Sequence, residues 1–126
     1  MFLAATDLMT KPGSLAIGPT FEIVLVPEMT ARRAVSQLDR IEPSIVGCVF
    51  AVDGLWGFVF PDESNEPSWP QGTTYLRVGE TVTVPPARWQ YVERETGWVR
   101  RRGTHPFIPP LLLHQSVAAH HALVVS

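Results

Sequence analysis

The stretch Val46–Pro61, "VGCVFAVDGLWGFVFP", decides how the rest of the chain is read. Both halves are apolar at almost every position, and Asp53-Gly54 lies between them. Asp-Gly is a strong signal for a two-residue hairpin turn, whose central residues take positive φ. The reading is a hairpin of strands Ile45–Val52 and Leu55–Phe60. Strands apolar on both faces belong inside a sheet that is covered on both sides. Gly47 and Gly57 interrupt these strands, as glycine does at a bulge or a close backbone approach. The hairpin has no His or Glu, and its one Asp sits in the turn. It reads as scaffold, without the ligands or bases that catalytic strands carry.

Before the hairpin comes "FEIVLVP", Phe21–Pro27, a β-rich run stopped by proline. Next, Ala31, Ala34, Val35, Leu38 and Ile41 fall on one face of a helix that Pro43 ends. Thr30 is the expected N-cap, Glu28 lies near the positive helix end, and Arg32, Arg33, Gln37 and Arg40 fall off the apolar stripe. Residues 1–19 read as a loosely attached arm with one short strand near Ser14–Ile17.

After the hairpin, Pro61–Gly72 is a polar loop bounded by prolines, of a length often functional or mobile. "TTYLRV" and "TVTVPP" flank Gly79-Glu80 and read as a second hairpin. Arg88–Arg102, "RWQYVERETGWVRRR", reads as a third, turning near Glu95–Gly97. Leu111–Val125 reads as a closing helix, with Leu113, Val117 and Val124 near one face. The whole chain, residues 1–126, is expected to form one α+β domain. Its central sheet is largely antiparallel, with one helix after the first sheet strand and another at the C-terminus. Val35, Leu38, Val49, Phe50, Phe58 and Phe60 are the expected core.

Composition narrows the function classes. The chain has 126 residues, 45% of them hydrophobic and 17% charged, which supports a real core. Its net charge of −2 argues against a dedicated nucleic-acid binder, and Arg100-Arg101-Arg102 is the only dense basic run. Arg outnumbers Lys nine to one, a usage that matches GC-rich bacterial coding. The single cysteine, Cys48, lies in an apolar run and reads as an inert core thiol suited to a reducing cytoplasm. The N-terminus lacks a basic leader region, and no apolar run is long enough to span a bilayer. The expectation is a soluble cytoplasmic protein.

The chemistry candidates are sparse. Two-metal catalysis on a strand needs carboxylates at i and i+2, but Glu22 is followed at those positions by Val24 and Val26. Asp62, Glu63 and Glu66 read as a solvated loop rim. His114, His120 and His121 lack the i, i+3 or i, i+4 spacing of a helical metal pair, and His105 is remote from them in sequence. No nucleophile elbow, P-loop or dinucleotide fingerprint is present. No catalytic residue, metal or cofactor is therefore expected. The aromatics remain. Trp89, Tyr91 and Trp98 alternate with or adjoin Arg94, Arg100, Arg101 and Arg102, and this group is the expected partner-binding surface.

Taken in order, "GPTFEIVLVP", "ARRAVSQLDR", "VGCVFAVDGLWGFVFP", "GETVTVPP" and "RWQYV" resemble the bifunctional DNA primase/polymerase domain of bacterial primase-polymerases. That domain belongs to the archaeo-eukaryotic primase superfamily. The resemblance runs from about Gly18 to Trp98 and rests on element order and short words. It implies two acids on the first strand, a His near the Gly-turn hairpin and a third acid before the Pro-Pro strand. This chain keeps Glu22, has Val24 where the second acid belongs, and has no His in Leu55–Phe58. Glu80, the nearest third acid, sits in a turn. The resemblance thus implies a trimmed, non-catalytic relative without primase or polymerase activity. The expected role is an intracellular binding or regulatory module acting through a protein partner or self-association. The alternatives are a nucleic-acid-binding accessory protein using the 88–102 surface, and a small enzyme with an unrecognised site.

Overall fold

The computed structural model describes residues 13–18, 21–42, 45–61, 69, 72–76, 79–91, 96–100 and 107–125, without the side chains of 60, 61, 110, 111 and 120–125. The elements are β1 (Gly13–Ala16), β2 (Phe21–Pro27), α1 (Glu28–Ile41), β3 (Val49–Val52), β4 (Leu55–Pro61), β5 (Thr74–Leu76), β6 (Thr81–Val84), β7 (Gly97–Arg100) and α2 (Pro110–Val125). Five strands form an antiparallel sheet in the order β5-β2-β4-β3-β7, and β1 and β6 form a separate two-stranded sheet. This is the expected α+β architecture.

The opening hairpin supplies the middle of that sheet. Asp53 and Gly54 both take positive φ, 52° and 79°, as the two-residue turn requires. β4 pairs with β2 on one side and β3 on the other, so Phe58 stands between Val24 and Val49. Side chains alternate between two buried layers. Val24, Val26, Val49, Ala51, Trp56 and Phe58 face α1 and α2. Ile23, Phe50, Val52 and Val59 face a second cluster that includes Ile17, Val82 and Val84 of the small sheet and its approach. The sheet is thus covered on both faces, as the unbroken apolar runs demand. Gly57 is a close-approach glycine, since a Cβ there would lie 2.2 Å from the Phe50 ring.

α1 follows β2 without a loop. Thr30 does not cap it. The helix begins at Glu28, Thr30 is buried within it, and no side chain caps its start. The Gly54 carbonyl instead accepts the Glu28 N–H at 3.0 Å, so the hairpin turn satisfies one orphan donor of the first turn. α1 buries Ala31, Ala34, Val35 and Leu38. α2 closes over it with Leu113, Ser116 and Val117, and Ser116 Oγ donates to Gln37 Oε1 at 2.8 Å.

Four further expectations need correction. The strand before the Asp-Gly turn starts at Val49, not Ile45, because 46–48 are buried without joining the ladder. The second hairpin does not exist as a pair, since β5 joins β2 while β6 joins β1. The Ile17 N–H reaches the Glu80 carbonyl at 2.8 Å, so the turn is engaged by the β1 strand rather than closing on its own flanks. The third hairpin is also absent in that form. β7 pairs with β3, and residues 88–91 touch it through a single parallel bridge, Gln90 to Trp98. In the N-terminal arm, Gly13–Ala16 is the expected short strand, and it is tied into a sheet rather than loose, with Ile17 buried. The Phe60 side chain falls outside the described residues, whereas the other expected core residues are buried.

Candidate functional site

Glu22 is the one acid on the first sheet strand, and its surroundings decide what it can do. It lies on β2 two residues before Val24, on the face that α1 and α2 cover. It is 6% exposed, low for a carboxylate, and burial of such a group demands hydrogen-bond donors. Tyr75 OH donates to Glu22 Oε1 at 2.6 Å from the neighbouring strand β5. The Tyr75 ring packs on Trp69 at 6.2 Å, and Trp69 meets the His114 ring edge-on at 5.0 Å. Glu22, Tyr75, Trp69 and His114 therefore form a continuous stack from the sheet to α2. Glu22 stands at one end of this series of contacts, bonded to Tyr75. Tyr75 meets Glu22 only through the pairing of β5 with β2, which no local sequence pattern marks. The available signal was Glu22 itself, a carboxylate set among residues apolar on both faces.

A second cluster lies at the start of α1. Tyr91 OH donates to Glu28 Oε1, and Arg32 donates to Tyr91 OH at 2.7 Å and to Glu28 Oε2 at 3.3 Å. The Arg32 guanidinium also lies 5.2 Å from the Trp56 ring centroid and 5.3 Å from that of Tyr91, within cation–π range. Trp56 and Tyr91 meet edge to face at 5.7 Å. The Tyr91 hydroxyl holds the Glu28 carboxyl below its ordinary value, against the opposing effect of burial and with further help from Arg32. The same bond to Glu28, together with burial, raises the Tyr91 phenol. Arg32 is raised, first by Tyr91 and then by Glu28. This clasp binds residues 88–91 to α1.

The expected partner surface is redistributed by these contacts. Trp98 is not a surface residue. It is 4% exposed, stacks edge-on against Phe50 at 5.5 Å, and donates from Nε1 to the Pro85 carbonyl at 3.2 Å. Arg100 is engaged with Asp39 of α1 through both terminal nitrogens. Tyr91 is held in the clasp, and Trp89 is half-buried with its carbonyl accepting the Trp98 N–H. Arg94, Arg101 and Arg102 fall outside the described residues, as do His105 and the acids Asp62, Glu63 and Glu66.

Among the described residues, α1 carries a row of exposed side chains. Met29, Arg33, Ser36 and Arg40 point outward, and Arg33 and Arg40 have no ion-pair partner among the described residues. Arg32, Arg33, Ser36, Gln37 and Arg40 line an open groove of about 400 Å³. A smaller groove of about 110 Å³, lined by Gln37, Leu38, Ile41, Leu112, Gln115 and Ser116, continues it toward α2. Met29, Ile41 and Leu112 are the large apolar residues exposed among those described, at 61%, 65% and 37%. Among the described residues no three His, Cys, Asp or Glu converge as a metal set, and no helix is long and apolar enough to cross a membrane. No protein-family model, curated protein or solved structure matches the chain.

Proposed function

We propose that this protein is a non-catalytic cytoplasmic binding module, built on a degenerate primase-polymerase-like scaffold and acting through a protein partner. One observation carries the reading. The only acid on the first sheet strand, Glu22, is buried and bonded to Tyr75. A two-metal centre needs paired carboxylates open to ions and to a nucleotide triphosphate. Here Val24, at the i+2 position, is fully buried in the core. Against the nucleic-acid alternative, two of its three stacking aromatics are engaged within the fold, Trp98 in the core and Tyr91 in the clasp. The apolar residues on the outer helix layer suit a protein partner better than a phosphate backbone.

Two measurements on the same preparation test the proposal. Crosslinking in native cells should yield a partner at fixed stoichiometry. Template-dependent nucleotide incorporation with Mg²⁺ or Mn²⁺ should be absent. Incorporation that disappears on Glu22→Gln would make the protein an enzyme and end this reading.

A further inference from the structure

The outer ridge of α1 has a charge pattern that names the chemistry of what it docks. On a helix, positions 29, 33, 36 and 40 fall in one narrow stripe. Glu28 and Asp39 are turned to one flank, where Tyr91, Arg32 and Arg100 engage them. Gln37 and Ile41 are turned to the other flank, toward α2. With the acids sorted away, Arg33 and Arg40 are the charged members of this ridge, beside Met29 and Ser36, although the chain as a whole carries a net charge of −2. Arg33 and Arg40 stand two turns apart, about 10 Å along the axis. The groove they line shares Gln37 with the smaller groove, in which Leu38, Ile41 and Leu112 form an apolar patch beside Gln115 and Ser116.

We infer that this double groove docks an acidic segment of a partner protein, its carboxylates on Arg33 and Arg40 and one aliphatic side chain over Leu38. The inference rests on the binding-module reading above and supplies its partner chemistry. Guanidinium groups pair carboxylates bidentately, which sets register as well as attraction. The apolar groove adds the desolvated anchor that a phosphate backbone lacks. A nucleic acid would use the arginines and leave Ile41 and Leu112 uncovered.

The test uses the full chain and a fluorescent peptide rich in glutamate and leucine, titrated by anisotropy. A matching peptide with glutamine for glutamate and a single-stranded oligonucleotide serve as rivals. The glutamate peptide should bind most tightly. Its affinity should fall at least about tenfold in the Arg33→Glu/Arg40→Glu variant and with rising salt. Lysine at both positions should retain most of the attraction but lose the bidentate register. Ile41→Ser should weaken the peptide and spare any oligonucleotide signal. Equal binding of the glutamine peptide, no effect of the charge reversal at unchanged melting temperature, or tighter oligonucleotide binding would each overturn the inference. Crosslinking separates this failure from a deeper one. A partner still captured by the charge-reversed variant leaves the binding-module reading standing with its site elsewhere. Glu22-dependent nucleotide incorporation removes that reading itself.

Discussion

The Val49–Pro61 hairpin and the Arg88–Arg100 segment look alike in sequence, with aromatics alternating through short β-prone runs around a turn. In the structure they are opposites. The first is a local hairpin whose strands pair with each other and form the sheet centre. The second is not an antiparallel hairpin, because its C-terminal half pairs with β3 and meets residues 88–91 through a parallel bridge. What separates them is the source of their order. Asp53-Gly54 sets a local turn that needs no distant partner. In the second segment the deciding contact is distant, the pairing of Gly97 and Trp98 with Ala51 and Phe50 of β3, and Gly97 also packs so closely on residues 90–91 that a Cβ there would sit 2.7 Å from the Gln90 backbone. A glycine near a supposed turn was in fact a crossing point. Aromatic content alone therefore says little about exposure. Trp98 belongs to the core, whereas Arg33 and Arg40 of α1 are exposed.

That contrast is broken or sharpened by substitution. The largest effect is expected where the two regions are claimed to be equivalent, in their buried aromatics. Phe58→Ala and Trp98→Ala should each cost about 3–5 kcal/mol in denaturant unfolding. A Trp98→Ala change within about 0.5 kcal/mol of wild type would return that residue to the surface. Gly97→Ala comes next, at about 1–3 kcal/mol, because the 90–91 backbone must shift to admit the methyl group. The shift should appear as chemical-shift changes around Gln90 and Tyr91, with the amides of β2, two strands further into the sheet, undisturbed.

Tyr91→Phe should have a smaller effect, about 1 kcal/mol or less, since the clasp is partly solvated. Its signature is the pH dependence. Glu28 is lowered in the fold, so its contribution is present above its ordinary 4.5 and is lost as pH falls through the folded value. Tyr91 is raised, so its contribution is present below 10.0 and is lost as pH rises toward the folded value. The stability gap between wild type and Tyr91→Phe should be widest between these limits and shrink outside them. A pH-independent gap would show that the hydroxyl's bonds contribute nothing. The smallest expected effect on stability, within about 0.5 kcal/mol, is at Arg33 and Arg40, where charge reversal should alter binding alone.

Much of the fold was legible because its signals were local. The apolar run of β2, the stripe of α1, the Asp-Gly hairpin and the closing helix each follow from spacing within one segment. The pairings of β5, β6 and β7 were not legible, because each strand was short and its partner lay far along the chain. β6 alternates exposed and buried residues cleanly, yet that pattern fits pairing with β1 as well as with β5. The site divided in the same way. Glu22 was visible as a lone strand acid, and Arg33 and Arg40 as charges off the apolar stripe. The partner of Glu22 was not legible, since Tyr75 reaches it only through the pairing of β5 with β2. The Thr30 cap failed because a backbone carbonyl from the hairpin turn took over that end of the helix.

The central claim is that Glu22 is a sequestered structural acid and not the remnant of a working metal site. Calorimetric titration of Mn²⁺ with a nucleoside triphosphate into wild type and Glu22→Gln tests it most directly. The account predicts indistinguishable isotherms for two folded proteins. Saturable binding by wild type that is lost in Glu22→Gln, with the melting temperature preserved, would contradict it.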